Sequence, residues 1–108
     1  MSFASSVPTS LVMTSISSGP YTVLQATDIL KIDVSSGDVT VNLLNPTTAI
    51  QKPQEFLIIG TSQQNAAILT TPSGIIGLSG QSTLNLKGIN SYIKLYPNGT
   101  NYDVLFYT

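Results

Sequence analysis

Five acids and four lysines are the only charged side chains in this sequence of 108 residues, so the chemistry open to it is limited. The acids are Asp28, Asp33, Asp38, Glu55 and Asp103, and there is no histidine or cysteine to transfer protons, attack as a nucleophile or bind a transition metal. The first three acids surround one predicted turn and could bind calcium, but aspartates there more often accept hydrogen bonds from local backbone amides. No spacing favours a carboxylate pair for glycoside hydrolysis. We therefore predict no catalytic residues, no metal, no cofactor and no enzymatic activity.

Charged polymers and membranes are disfavoured as partners. The net charge is −1, whereas binding to nucleic acid or to an anionic membrane requires a surplus of lysine and arginine. Gly74, Gly77 and Gly80 resemble a phosphate-binding loop only superficially, because no Lys-Ser/Thr pair follows them. No apolar stretch is long enough for a transmembrane helix, and the N-terminal residues lack the features of a secretory signal. We predict neither nucleic-acid binding nor membrane insertion.

Aromatic side chains near the C-terminus suggest a binding surface instead. Residues 92–96 and 102–107 alternate as two strands around a turn in which Asn98-Gly99 supplies the positive φ. If Ile93 and Leu95 face the core, the residues between them face outward. There they can contact a protein partner, pack only against side chains of the neighbouring strand, or stack on a sugar. The last strand is apolar on both faces, which favours burial against a partner chain. The candidate interface or ligand-contact residues are Tyr92, Lys94, Tyr96, Tyr102, Phe106 and Tyr107.

Short strands separated by turn signals must position these residues, because no window shows helical periodicity. Alternating apolar residues predict a hairpin of residues 28–34 with 38–44 around Ser35-Ser36-Gly37. The run 56–59 predicts a strand buried on both faces, and weaker strands are predicted at 66–69 and around Leu84 and Leu86. Seven or eight such strands indicate an all-β fold, a small antiparallel β-sandwich or jelly-roll-like barrel.

The N-terminal segment differs from the rest of the chain. Residues 1–19 are rich in Ser and Thr, and Ser18-Gly19-Pro20 separates them from the predicted domain, residues 20–108. The only apolar stretch suited to a strand is Leu11-Val12-Met13. We interpret residues 1–19 either as a docking arm ordered by a neighbouring molecule or as a frayed terminus. Low net charge weakens electrostatic repulsion between copies and favours self-association.

A recognisable pattern of turns and alternation extends over residues 19–107. It consists of Gly19-Pro20-Tyr21-Thr22-Val23, Thr27-Asp28, Leu30-Lys31-Ile32-Asp33, Ser36-Gly37-Asp38-Val39-Thr40-Val41-Asn42-Leu43 and the ending Lys94-Leu95-Tyr96-Pro97-Asn98-Gly99-Thr100-Asn101-Tyr102-Asp103-Val104. This pattern resembles a β module of bacteriophage tail-fibre, spike and receptor-binding proteins. The ending is similar to the closing hairpin of that module, with Tyr102 where tryptophan is frequent.

This resemblance implies a virion structural protein, made in the host cytoplasm, that forms a homotrimer and serves as a fibre or spike tip or as a capsid decoration. Its expected partners are other copies, other virion proteins and a host surface glycan. The arm would dock it, and the loops at 45–54, 62–65 and 97–101 would be presented outward. A different interpretation is a monomeric carbohydrate-binding module that uses the exposed tyrosine face.

Overall fold

Nine β-strands in two sheets make up the part of the chain that the computed structural model describes, residues 10–108, and that part contains no helix. The strands are β1 (Met13–Ile16), β2 (Tyr21–Thr22), β3 (Ile29–Asp33), β4 (Val39–Asn42), β5 (Gln54–Ile59), β6 (Ala66–Thr70), β7 (Thr83–Lys87), β8 (Tyr92–Pro97) and β9 (Tyr102–Tyr107). The five-stranded sheet has the order β1-β3-β5-β8-β9, and the four-stranded sheet has the order β2-β4-β6-β7. The predicted all-β class is confirmed.

The first six strands alternate between the two sheets. β1, β3 and β5 are parallel neighbours in one sheet, and β2, β4 and β6 are parallel neighbours in the other. The chain therefore coils, and each turn of the coil adds one strand to each sheet. Antiparallel pairing begins only where β7 joins β6 and where β8 and β9 extend the sheet beyond β5. The prediction of purely antiparallel sheets is wrong, because both sheets are mixed.

The predicted hairpin of residues 28–34 with 38–44 is also wrong. Both strands form, as β3 and β4, but they belong to different sheets and do not pair with each other. The segment between them carries the chain from one sheet to the other. A hairpin and a pair of strands in different sheets show the same period-two alternation, because in either case the apolar residues share one face of their strand. Here that face is turned to a core that lies between the sheets.

One buried cluster joins the facing sides of the two sheets. The five-stranded sheet contributes Leu30, Ile32, Phe56, Ile58, Ile93 and Leu95, and the four-stranded sheet contributes Val39, Val41, Ala67, Leu69 and Leu86. The predicted strand at 56–59 forms within β5, but it is not buried on both faces. Phe56 and Ile58 are buried, whereas Leu57 and Ile59 lie on the opposite, half-buried face.

The connecting loops divide between the two ends of the strands. We call these the Asp28 end, where β3 and β5 begin, and the Asp33 end, where they finish. The β5 residue Gln54 pairs with Leu95 near the end of β8, so the loops at 45–54 and 97–101 share the Asp28 end. The loop at 62–65 follows β5 and lies at the Asp33 end. Of the three loops predicted to be presented outward, two therefore share one end of the strands and the third lies at the other end.

Candidate functional site

The candidate sites are surfaces, because no pocket opens among residues 10–108. Those residues also contain no helix that is long and apolar enough to cross a membrane. Two surfaces of the five-stranded sheet carry the residues that the sequence singled out. One is the outer side of β8 and β9, and the other is the edge formed by β1.

The acids do not come together into one site. Asp28 lies at the start of β3, and Asp33 lies at its other end. Asp33 Oδ1 accepts a hydrogen bond from the Ser35 amide at 2.9 Å, and the hydrogen bonds from Ser35 hold the pKa of Asp33 below its usual value. Asp38 Oδ1 accepts one from the Ala66 amide at 2.8 Å. Among the described residues, no three of Asp, Glu, His or Cys are grouped to bind a metal.

Asp28 instead fixes the start of β1. Its Oδ2 atom accepts a hydrogen bond from the Val12 amide at 2.8 Å, and its Oδ1 atom lies 3.2 Å from Lys52 Nζ. The bond from Val12, followed by the interaction with Lys52, holds the pKa of Asp28 below its usual value. The Val12 carbonyl accepts hydrogen bonds from the amides of Asp28 and Ile29. The carboxylate thus helps to hold the first residues of β1 against β3.

The predicted division of faces on β8 is confirmed. Ile93 and Leu95 are fully buried, and the residues between and beside them are half-buried on the outer face: Tyr92, Lys94 and Tyr96. Glu55 pairs with Lys94 across the strands, so both side chains lie on this face. The Tyr92 hydroxyl donates a hydrogen bond of 2.5 Å to Glu55 Oε1. Burial, reinforced by the Glu55 carboxylate, raises the pKa of Tyr92 to about 12.

Tyr102 belongs to the core, which corrects the prediction that it is a surface contact residue. Its side chain is 1% exposed, and its hydroxyl donates a hydrogen bond of 2.7 Å to the Leu44 carbonyl. Burial raises its pKa to about 12. A side chain enclosed in this way has no surface to offer a ligand or a second chain. The ring instead ties the start of β9 to the loop that follows β4.

A β-bulge separates Tyr102 from Phe106. Leu95 pairs with Val104, but Lys94 pairs with Phe106, so Leu105 is an extra residue in β9. The bulge reverses the alternation and turns Phe106 onto the outer face. There its ring centroid lies 5.8 Å from that of Tyr92, with the rings tilted by 56°. Phe106 is 55% exposed, so a core-sized loss of stability is not expected on its removal.

Exposed apolar side chains follow the bulge. Leu105 and Tyr107 are exposed to a similar degree as Phe106. We call these three residues the C-terminal patch. Tyr107 pairs with Ile93, near the start of β8, so the patch lies toward the Asp33 end of the sheet. Sequence alternation alone could not predict the outward turn of Phe106, because it depends on an unpaired residue in the strand.

The predicted docking residues Leu11, Val12 and Met13 are all exposed, but they adjoin or belong to a strand. β1 pairs in parallel with β3 from Met13–Ile29 to Ile16–Ile32 and forms one edge of the five-stranded sheet. Part of the arm assigned to residues 1–19 is therefore in the sheet. The rest of the arm, residues 1–9, lies outside the described residues.

Sequence reasoning missed the roles of Glu55 and Asp28. Each acid contacts a residue that is distant in the sequence, Tyr92 and Val12 respectively. No local spacing signals such contacts.

Comparison of the chain with known protein families, with curated proteins and with solved structures finds no match. The surfaces themselves are therefore the basis for a functional interpretation.

Proposed function

We propose that this protein is a non-enzymatic structural protein of a virus particle, in which it assembles with copies of itself. The observation that carries the proposal is the C-terminal patch, where Leu105, Phe106 and Tyr107 are each about half exposed. The three residues are consecutive at the end of β9, and Phe106 and Tyr107 present apolar surface on opposite faces of the sheet. Exposed apolar and aromatic side chains are typical of protein interfaces. The net charge of −1 adds little repulsion between copies. The turn pattern that resembles tail-fibre modules supports a place in a fibre tip, a spike or a capsid surface.

The architecture proposed for the assembly is a homotrimer of sandwich-like domains, located in the virion. The C-terminal patch would form the contacts between subunits, together with Tyr92 and Tyr96 beside it. The arm that includes Leu11, Val12 and Met13 would dock the assembly. The loops at 45–54 and 97–101, which share the Asp28 end, would be presented to other virion proteins or to a glycan on the host surface.

The mass of the full chain in solution tests this proposal. Size-exclusion chromatography with light scattering should give an oligomer for the natural sequence and a smaller species for Phe106→Ser. Ile50→Ser is the matched control, because Ile50 is 63% exposed and lies outside the patch. A monomer at high concentration, or an equal effect of both substitutions, would contradict the proposed role of the patch.

A second function, a monomeric carbohydrate-binding module, is supported by the outer face of β8. Tyr92 and Tyr96 are half-buried there and Phe106 is exposed, beside the polar side chains of Lys94 and Glu55. Aromatic rings with polar neighbours can stack on a sugar and hydrogen-bond to it. A glycan array distinguishes the two functions. A carbohydrate-binding module should bind a glycan on the array, and Tyr96→Ala should abolish that binding without loss of the fold. A monomer that binds no glycan would contradict this alternative.

A further inference from the structure

The outer edge of β1 carries backbone groups that no described strand pairs with. Val12 faces β3, because its carbonyl accepts hydrogen bonds from the amides of Asp28 and Ile29. In a β-strand, the backbone groups of successive residues point to opposite edges. Thr14 and Ile16 therefore also face β3, whereas the N–H and C=O groups of Met13 and Ser15 face away from the sheet.

Within residues 10–108, none of the usual devices that protect an edge strand is present along β1. Natural edge strands are commonly blocked by charged side chains, proline, a bulge or a covering loop. The sequence has no charged residue before Asp28, and no proline lies between Thr9 and Gly19. The pairing of β1 with β3 is continuous, without a bulge. The side chains beside this edge are apolar and exposed: Leu11, Val12 and Met13.

The other sheet edges are less suitable for pairing. β2 has only two residues, and β7 ends in Lys87, a charged residue of the kind that discourages pairing. On β9, the amide of Tyr102 donates a hydrogen bond to the Ile75 carbonyl, and its carbonyl accepts one from the Gly77 amide. The bulge at Leu105 interrupts the remainder of that edge. In the described part of the chain, β1 is thus the edge strand of more than two residues that has no charged residue, no bulge and no covering segment.

We propose that β1 pairs with β1 of a second copy, in antiparallel orientation about a two-fold axis, so that two five-stranded sheets join into one. This inference rests on the proposed function and deepens it, because it names the partner of the docking arm. The contact is separate from the C-terminal patch, which lies at the opposite edge of the same sheet. Subunits joined through the patch could therefore be linked to one another through β1.

A second copy fits this edge for three reasons. An uncharged edge favours an uncharged extended strand, and β1 of another copy is such a strand. Two-fold pairing brings the same residues of both copies together, so Met13 and Ser15 of each copy can form backbone hydrogen bonds with the other. The exposed side chains of Leu11 and Met13 would then be covered on one face and that of Val12 on the other.

A backbone substitution tests the pairing. Ser15→Pro removes an N–H group that faces away from β3, and proline is tolerated where that group faces solvent. We expect the dissociation constant of the β1 contact to rise at least tenfold, while circular dichroism shows the fold intact. Ser15→Ala is the matched control, because it removes the hydroxyl and keeps the N–H group, and it should associate like the natural protein. Equal association of the proline variant would overturn the proposal.

Engineered cysteines give a second readout that does not depend on affinity. The chain has no cysteine, so each single substitution introduces the only thiol. Across a two-fold axis one position lies opposite itself, and a scan of single cysteines from Val12 to Ser15 should give a covalent dimer with a maximum at one position. Ile50→Cys, an exposed site away from the edge, is the control. Yields that match this control throughout the scan would overturn the proposal.

The two proposals fail in distinguishable ways. If Ser15→Pro reduces the assembly and Phe106→Ser does not, the β1 contact stands and the role of the C-terminal patch is wrong. If only Phe106→Ser reduces it, and the cysteine scan has no maximum, copies assemble through the patch and β1 does not pair with itself.

Discussion

The two edges of the five-stranded sheet have opposite designs. The β9 edge is covered by the segment around Gly77 through two hydrogen bonds to Tyr102, and it is interrupted by the bulge at Leu105. The β1 edge is regular and uncharged, and its outer backbone groups are unpaired within residues 10–108. An edge without protection tends to add another strand. The difference indicates that β9 ends the sheet and that β1 can extend it.

The side chains at the two edges also differ in how they are held. Tyr102 anchors β9 in the core through its buried ring and its hydrogen bond to the Leu44 carbonyl. β1 contributes no fully buried side chain, and its start is held by polar contacts to Asp28 at the surface. We therefore expect the stability of the fold to depend strongly on the β9 anchor and weakly on β1.

The largest expected effect is loss of the β9 anchor. Tyr102→Ala removes a fully buried aromatic ring and should lower the free energy of unfolding by about 3–5 kcal/mol. Phe106→Ala, four residues further along the same strand, should cost about 1 kcal/mol or less because the ring is half exposed. Denaturant unfolding of the two variants at low protein concentration measures the difference. Similar losses would show that Tyr102 does not anchor this edge as described.

The next effect concerns the loop that covers β9. Gly74 has φ of 72°, and a side chain there would collide with the Thr100 backbone carbonyl. Gly74→Ala should therefore lower the free energy of unfolding by about 2 kcal/mol or more, since the left-handed conformation alone costs roughly 1–2 kcal/mol.

Gly80→Ala is its matched control. Gly80 has a similar φ of 66°, but a Cβ atom there meets open space. Any loss of unfolding free energy in Gly74→Ala beyond that in Gly80→Ala measures the collision between the loop and the hairpin turn. If the loop then moves away from β9, the Tyr102 amide should exchange faster. Equal losses in the two variants would mean that the contact with Thr100 has no role in holding the loop.

A smaller effect, confined to β1, is expected in acid. The pKa of Asp28 is lowered in the folded protein, so its contribution to stability is present above the unfolded pKa of about 3.9 and is lost as the pH falls through the folded pKa. The NMR shift of the Val12 amide should follow this titration, with a midpoint below 3.9. In Asp28→Asn this titration should be absent, and the Tyr102 amide should be unaffected. A midpoint at or above 3.9 would contradict the role of the carboxylate.

The smallest expected effect is a difference in exchange rate between neighbouring backbone amides of β1, measured in dilute protein of the natural sequence. The amides of Met13 and Ser15 should exchange quickly and that of Thr14 more slowly, because Thr14 alone of these three residues faces β3. The Tyr102 amide should be protected although it lies on an edge strand, since it donates to the Ile75 carbonyl. Uniform exchange along β1 would contradict the alternation on which the pairing proposal depends.

The sequence by itself determined the all-β class and the positions of most strands. Alternation of apolar residues is a local property, and it placed β3, β4 and the outward and inward faces of β8 correctly. The C-terminal hairpin was also predictable, because its turn has local chemistry: Gly99 has φ of 96°, and Asn98 Oδ1 accepts hydrogen bonds from the amides of Thr100 and Asn101. Strand existence and tight turns depend on neighbouring residues, so the sequence specifies them directly.

Only the tertiary structure decided which strands pair and which surfaces remain open. The alternation of residues 30–34 and 39–43 fits a hairpin as well as two strands in different sheets. The alternation therefore could not predict the parallel coil. Phe106 faces the opposite side of the sheet from Tyr102 because of one unpaired residue, Leu105, in the ladder that β9 forms with β8. The contacts of Val12 with Asp28 and of Tyr92 with Glu55 join distant residues. The strand pairing, the bulge and these two contacts all depend on chain segments that meet only after folding. Burial of the apolar faces of the two sheets in one core brings those segments together.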